Sequence, residues 1–336
     1  AIDNPSQIEF IRRRAAECGL VRVLPSGCIT NERKGLQLAD LSGMAAAGAV
    51  AFTDDGATVA DDGLMRSAMK IARQLGIPVM DHALDPTLAG RGVVHDGILG
   101  HALGLPVIPS SAETKIVVRD IELSAETGCA VHIQHLSAAE SIDAIRGAIS
   151  RRLPVSCEVT PHHIALCDAD VRSNNTSTKV NPPLRAASDR EALIAAVRQG
   201  IIQAFATDHA PHTGASKLRD FTKAPFGLIG LETAVGVTYT ALVKTGLISL
   251  STWLKLWTSG PARVINKIPP SMKTGSPADI VLLDLDTEWT VRRHDFVSKS
   301  SNSPFTDRTL TGSAALTLLA GTLTWDAGTG RIDKYA

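Results

Sequence analysis

The stretch "IQAFATDHAPH", Ile202–His212, runs from an apolar segment straight into one carboxylate and two imidazoles. A short apolar run without polar alternation is the pattern of a strand buried on both faces, as in parallel sheets. Polar groups just past the C-terminal end of such a strand stand where α/β barrels keep their catalytic groups. The same form recurs in "VRVLP" (21–25), "AVAFTDD" (49–55), "IPVMDH" (77–82), "AVHIQHL" (130–136) and "PVSCEVT" (154–160). Helical segments separate these runs, and Ser6-x-x-Glu9, Ser137-x-x-Glu140 and Ser188-x-x-Glu191 predict capping boxes at three helix starts.

This alternation predicts a TIM-like (β/α)8 barrel, yet only six of its eight strands are legible. Either the sheet is open and doubly wound, or the first two βα units are absent from this chain. A helix cap almost at Ala1, with no strand ahead of it, favours the second. Beyond residue 270, "GSPADIVLLDLD" (275–286), "EWTV" (288–291) and "ALTLLAGTLTW" (315–325) read as strands without helices between them. The expected organisation is a barrel domain over 1–268, incomplete at its N-terminus, and part of a small β-sandwich appendage over 269–336.

Lys plus Arg (34) equals Asp plus Glu (34), with no basic run, so the charge footprint of a nucleic-acid binder is missing and a small-molecule partner is expected. Five cysteines without a C-x-x-C pair argue against both a disulfide framework and a cysteine zinc site, and point to the cytoplasm. No apolar run is long enough to span a bilayer, so no membrane partner is expected.

Four strand ends carry metal-binding groups: "FTDDG" (52–56), "MDH" (80–82), "HIQH" (132–135) and "ATDHAPH" (206–212). Oxygen and imidazole donors without thiolate suit Zn2+ or another borderline divalent ion in an open site. A single buried histidine is more often a hydrogen-bonded core residue, but four such groups on successive strand ends would converge on one rim. Strand parity allows one ligand from the pair His132 and His135, and one from Asp208 and His209, since the members of each pair face opposite ways. His132 is expected to face the surrounding helices. His162 and His163 of "TPHH" either join the site or brace the rim, and His95, His101 and His294 read as surface or loop residues.

In this order "AFTDDG", "MDH", "HIQHLS", "CEVTPHH", "KVNPPLR", "FATDHAPH" and "APFGLIGLETA", with "GSPADIVLLD" and "SKSSNSPF" (298–305) in the appendage, resemble the bacterial dihydroorotases among the cyclic amidohydrolases. The resemblance implies zinc-dependent, reversible hydrolysis of L-dihydroorotate to N-carbamoyl-L-aspartate in de novo pyrimidine synthesis. It places the bridging metal ligand on Asp55, the ligands of a second ion on His82 and His135, and the ligand that also shuttles the proton on Asp208. Substrate contacts fall on Asn181, His212 and the Phe226–Gly227 backbone. The polar segment 212–227 either covers the site or is a passive surface loop. The resemblance also allows a homodimer and an association with aspartate transcarbamoylase.

The family's first strand carries H-x-H-x-R, and its second strand ends on an Asn; neither occurs in 1–336. Those strands are the same two missing from the count of eight. The family holds one or two Zn2+ per subunit; here at most about one is expected, with low activity as for a fragment. Two alternatives remain: a non-catalytic dihydroorotase-like scaffold for the transcarbamoylase, and a sister cyclic amidohydrolase of the hydantoinase or allantoinase kind.

Overall fold

The computed structural model describes residues 1–331; residues 332–336, the end of the expected appendage, lie outside the described residues. The strands are β1 (Val79–Asp81), β2 (Val94–His95), β3 (Val107–Ile108), β4 (Val131–Ile133), β5 (Val155–Val159), β6 (Ala204–Phe205), β7 (Ile280–Thr290), β8 (Thr309–Leu319), β9 (Thr322–Asp326) and β10 (Gly330–Arg331). A parallel sheet runs β1-β4-β5-β6, and parallel bridges Gly27–Phe52 and Phe52–Val79 extend it on the β1 side. Chain order and spatial order therefore coincide through all six positions. A doubly wound sheet would reverse direction at a switch point, so this is a singly wound wall of the barrel type. Among the described residues no pairing joins β6 back to the Gly27 edge.

Helices Asp62–Leu75, Ser111–Thr127, Ala139–Ser150 and Ala187–Arg198 fill the crossovers and cover one face. Val131, Ile133, Val155, Cys157 and Val159 pack outward into one core with Met65, Met69, Ile116, Ile145 and Leu193 of these helices. The alternate positions, His132, Ser156 and Glu158, consequently face the other way, to the side of the wall opposite the helices. The run 49–55 is reduced to single bridges at Phe52, and the run 21–25 forms no strand: the bridge there falls two residues later, at Gly27. A further parallel pair, β2 with β3, was not expected, and it takes His95 out of the loop class.

None of the three expected capping boxes forms, because better partners claim the groups. Asn4 caps the first helix, Pro5–Cys18, by accepting from Gln7 N at 3.2 Å, and Ser6 lies inside that helix. Ser137 gives its hydroxyl to buried Glu113, and the helix it should start begins at Ala139, whose N–H donates to Asp189 Oδ1 at 2.9 Å. Ser188 also lies inside its helix, Ala187–Arg198.

In the C-terminal part β7, β8, β9 and β10 form an antiparallel sheet. The expected strands 275–286 and 288–291 are one strand, β7, whose register slips between Asp284 and Glu288. The run 315–325 is instead two strands, reversed at Ala320 and Gly321 with φ of 49° and 81°, the backbone a tight hairpin needs.

Candidate metal centre

The wall delivers its polar groups to one rim. After the Phe52 bridge, Asp54 turns inward and accepts from Ile29 N at 2.8 Å, from Thr30 N at 3.1 Å and from the Thr30 hydroxyl. Thr53 Oγ1 accepts from Asp55 N at 3.0 Å and donates to Gln134 at 2.8 Å. Asp54 is thus a brace, and Asp55 is left free to face the site with its side chain 48% exposed. His82 follows β1 directly and is buried.

His132 and His135 show why parity alone misassigned the faces. β4 ends at Ile133, and His135 adopts φ 33°, so the chain has left strand geometry before it reaches His135. His132 turns away from the helices: its ring meets Ser156 Oγ at 2.8 Å and Glu158 Oε2 at 3.1 Å on the opposite face of the wall. Glu158 in turn accepts from His135 N at 3.4 Å, so His132 supports the rim from below. Asp208 has φ 48° just past β6, while its neighbour His209 points elsewhere and accepts from Gly230 N at 3.1 Å and Leu231 N at 3.3 Å.

One donor atom each from Asp55, His82 and His135 lie within 4.8 Å of one another. His82 Nδ1 is 2.8 Å from His135 Nε2, and Asp55 Oδ1 lies 3.6 Å and 3.5 Å from these two nitrogens. Asp208 is outside this group of three. Asn181 Nδ2 lies 3.0 Å from the far nitrogen of His82, Nε2, while its own Oδ1 is buried without a partner. Turned by 180°, the amide would accept from His82 Nε2–H, which is the tautomer that leaves Nδ1 free to bind a cation.

The charges around the group suit a cation. Burial raises the Asp55 carboxyl, but the His135 and His82 imidazoles more than offset this and hold it well below the usual range. Burial lowers His135, yet Asp55, Asp208 and Glu158 push it up to about 9. Asp208 is pushed up to about 6 by burial, against the pull of His135 and with the repulsion of Asp55 and Glu158. Burial and the neighbouring His135 lower His82. Three carboxylates facing one buried imidazole make surroundings that a divalent ion would neutralise, and two imidazoles with a carboxylate are a donor set suited to zinc.

The other expected residues form a second group beside the first. His212 Nε2 donates to Phe226 O at 2.7 Å. Gly227 has φ 118°, and a Cβ there would meet Ala210 Cβ at 2.6 Å, so only glycine lets the chain pass so close. His163 is held by Thr160 Oγ1 at 2.8 Å and Pro182 O at 3.1 Å, which makes it a brace; His162 is buried and outside the donor group. Lys179, Lys217 and Asn302 were not anticipated. Lys179 lay within the quoted motif "KVNPPLR" and Asn302 within "SKSSNSPF", the only signal either gave.

A cavity of about 360 Å³ opens beside Ala130, Pro154 and Gln203, at the N-terminal ends of β4, β5 and β6. It is on the wrong rim for barrel chemistry, and the donor group, not cavity size, locates the site.

The fold is similar to that of solved hydantoinase and dihydropyrimidinase structures. L-hydantoinase from Arthrobacter aurescens superposes with a TM-score of 0.87 at 24% identity, covering 99% of this chain and 76% of that one. Dihydropyrimidinase from Brevibacillus agri NCHU1002 gives 0.79 at 21% identity, covering 96% and 73%. A family model described as "Dihydro-orotase-like" matches residues 1–141. Dihydroorotases from Geobacillus sp. (strain WCH70) and Pelotomaculum thermopropionicum are 42% and 44% identical, over 97% and 95% of this chain and 76% and 74% of their own lengths. The chain belongs to the dihydroorotase family.

Proposed function

We propose that the chain is a zinc-dependent dihydroorotase that opens and closes the cyclic amide of L-dihydroorotate. The donor group of Asp55, His82 and His135, in a chain over 40% identical to proteins named dihydroorotase, carries this reading. The hydantoinase neighbours share the fold at lower identity, and a scaffold without chemistry would have no use for a converging donor set. The partner is then a small anionic molecule; a homodimer and a transcarbamoylase contact are expectations drawn from family resemblance. No helix among the described residues is long and apolar enough to cross a membrane. Five free cysteines, four of them buried, suit a reducing compartment, and we place the enzyme in the cytoplasm.

Asp55, His82 Nδ1 and His135 Nε2 would hold the ion, which supplies Lewis acidity that polarises the scissile carbonyl and makes water nucleophilic near neutral pH. Asp208, beside this group but not in it, takes the proton of the attacking water and delivers it to the ring nitrogen as the C–N bond breaks. In ring closure it removes that proton again. Asn181, His212 and the Phe226–Gly227 backbone orient the substrate, and fixing the reacting atoms in this way lowers the barrier. Among the described residues the Phe226 N–H has no protein acceptor, and it is the free donor of that backbone. The barrel domain is assigned to 1–268 and the appendage to 269–336. Ring opening is measured by separating dihydroorotate from carbamoyl-aspartate after incubation with chelated and zinc-reloaded protein. Activity that appears only with the metal is expected; equal rates in both samples would contradict the assignment.

A further inference from the structure

Two lysines beside the site are buried with no carboxylate partner among the described residues. Lys179 is 2% and Lys217 is 8% exposed, where lysine is ordinarily at the surface. Lys179 Nζ donates to Phe221 O at 2.7 Å, Thr222 O at 3.2 Å and Ala224 O at 2.7 Å. Lys217 Nζ donates to Pro225 O at 3.0 Å and Gly227 O at 2.9 Å. Phe226 O is taken by His212, so of the carbonyls from Phe221 to Gly227 only that of Lys223 escapes these three side chains. The Lys179 ammonium also lies 4.6 Å from the Phe226 ring centroid, and Lys179 O accepts from Gly227 N at 2.9 Å. Asn302 adds a bond to Gly227 O at 3.1 Å from the far side.

The N–H and C=O of one peptide point in opposite directions. With Pro225 O drawn onto Lys217, the Phe226 N–H must therefore point away from the ammonium, and among the described residues it has no protein acceptor. We propose that Lys179 and Lys217 form a two-ammonium clamp that fixes Phe221–Gly227 and presents the Phe226 N–H to the substrate as a preset donor. Both are positioning residues: neither is assigned a contact with reacting atoms. Burial lowers both ammonium groups, and the charge of Lys179 adds to the burial of Lys217 to bring it to about 8; among the described residues these two charges are answered by carbonyl dipoles and, for Lys179, by the Phe226 ring. Such an arrangement is costly as mere packing, because an unpaired buried charge is ordinarily replaced by an apolar side chain of similar size.

The inference rests on the dihydroorotase reading for its substrate but not for the clamp itself. Lys179→Met and Lys217→Met, which keep the apolar stem, are compared with the wild-type full chain, each zinc-loaded. Amide hydrogen exchange is read over 221–227 without substrate, and kcat and KM are read for dihydroorotate. Exchange over 221–227 is expected to quicken about 10-fold or more with 131–136 unchanged, and KM to rise roughly 10-fold with kcat within about threefold, the pattern of lost ground-state and transition-state binding alike. Unchanged exchange overturns the clamp; faster exchange with an unchanged KM reduces it to packing and overturns its functional half. If Lys179→Met fails to fold, Lys217→Met decides both readouts. A zinc-loaded wild type that leaves dihydroorotate intact would sink the functional reading, and exchange alone would then judge the clamp.

Discussion

Asp208→Asn is expected to lower turnover of dihydroorotate by roughly 100- to 10,000-fold, the range lost when a positioned acid–base group is removed, with zinc content unchanged. The amide keeps the size of the carboxylate and its place past β6, where φ 48° turns residue 208 toward the site. It cannot accept the proton of the attacking water. Since the tight donor group consists of Asp55, His82 and His135, the ion has no need of residue 208 to stay bound. Steady-state rates with parallel elemental analysis separate the two effects. A variant that keeps more than a tenth of the wild-type rate would remove Asp208 from the chemistry.

Replacing His82 or His135 with Ala acts on the metal instead. Each change leaves one imidazole and one carboxylate, short of the three protein ligands usual in a catalytic zinc site. Loss of an outer partner of a ligand costs about 10- to 100-fold in affinity, so loss of a ligand itself is expected to cost roughly 100-fold or more. His209→Ala is the matched control, because that ring accepts from the backbone at Gly230 and Leu231 and takes no part in the donor group. Competition against a chelator reads the affinities. Equal losses for His82→Ala and His209→Ala would show that the ion is held elsewhere.

Much of the site could be read from sequence because its donors sit on strand ends, and strand ends survive in the pattern of apolar runs. Asp55, His82 and His135 meet because Phe52, β1 and β4 are neighbours in one parallel wall. Parity was the weaker tool: it allowed only one ligand from His132 and His135 without saying which, and it assumed that the strand continued through residue 135, where the positive φ breaks the alternation. The capping boxes failed for a different reason. A Ser-x-x-Glu pattern is a local signal, and Ser137 had a buried Glu113 and Arg185 within reach through the fold. Lys179 and Lys217 were invisible because nothing in composition distinguishes a buried lysine from a solvated one. Only the carbonyls gathered around them do.

The most direct measurement is the position of the anomalous scattering peak in zinc-soaked crystals of this chain. A peak is predicted within bonding distance, about 2.0–2.2 Å, of Asp55, His82 Nδ1 and His135 Nε2, with Asn181 against His82 Nε2. A peak held by other residues, or none here while the two imidazole nitrogens keep their 2.8 Å contact, would contradict the metal centre.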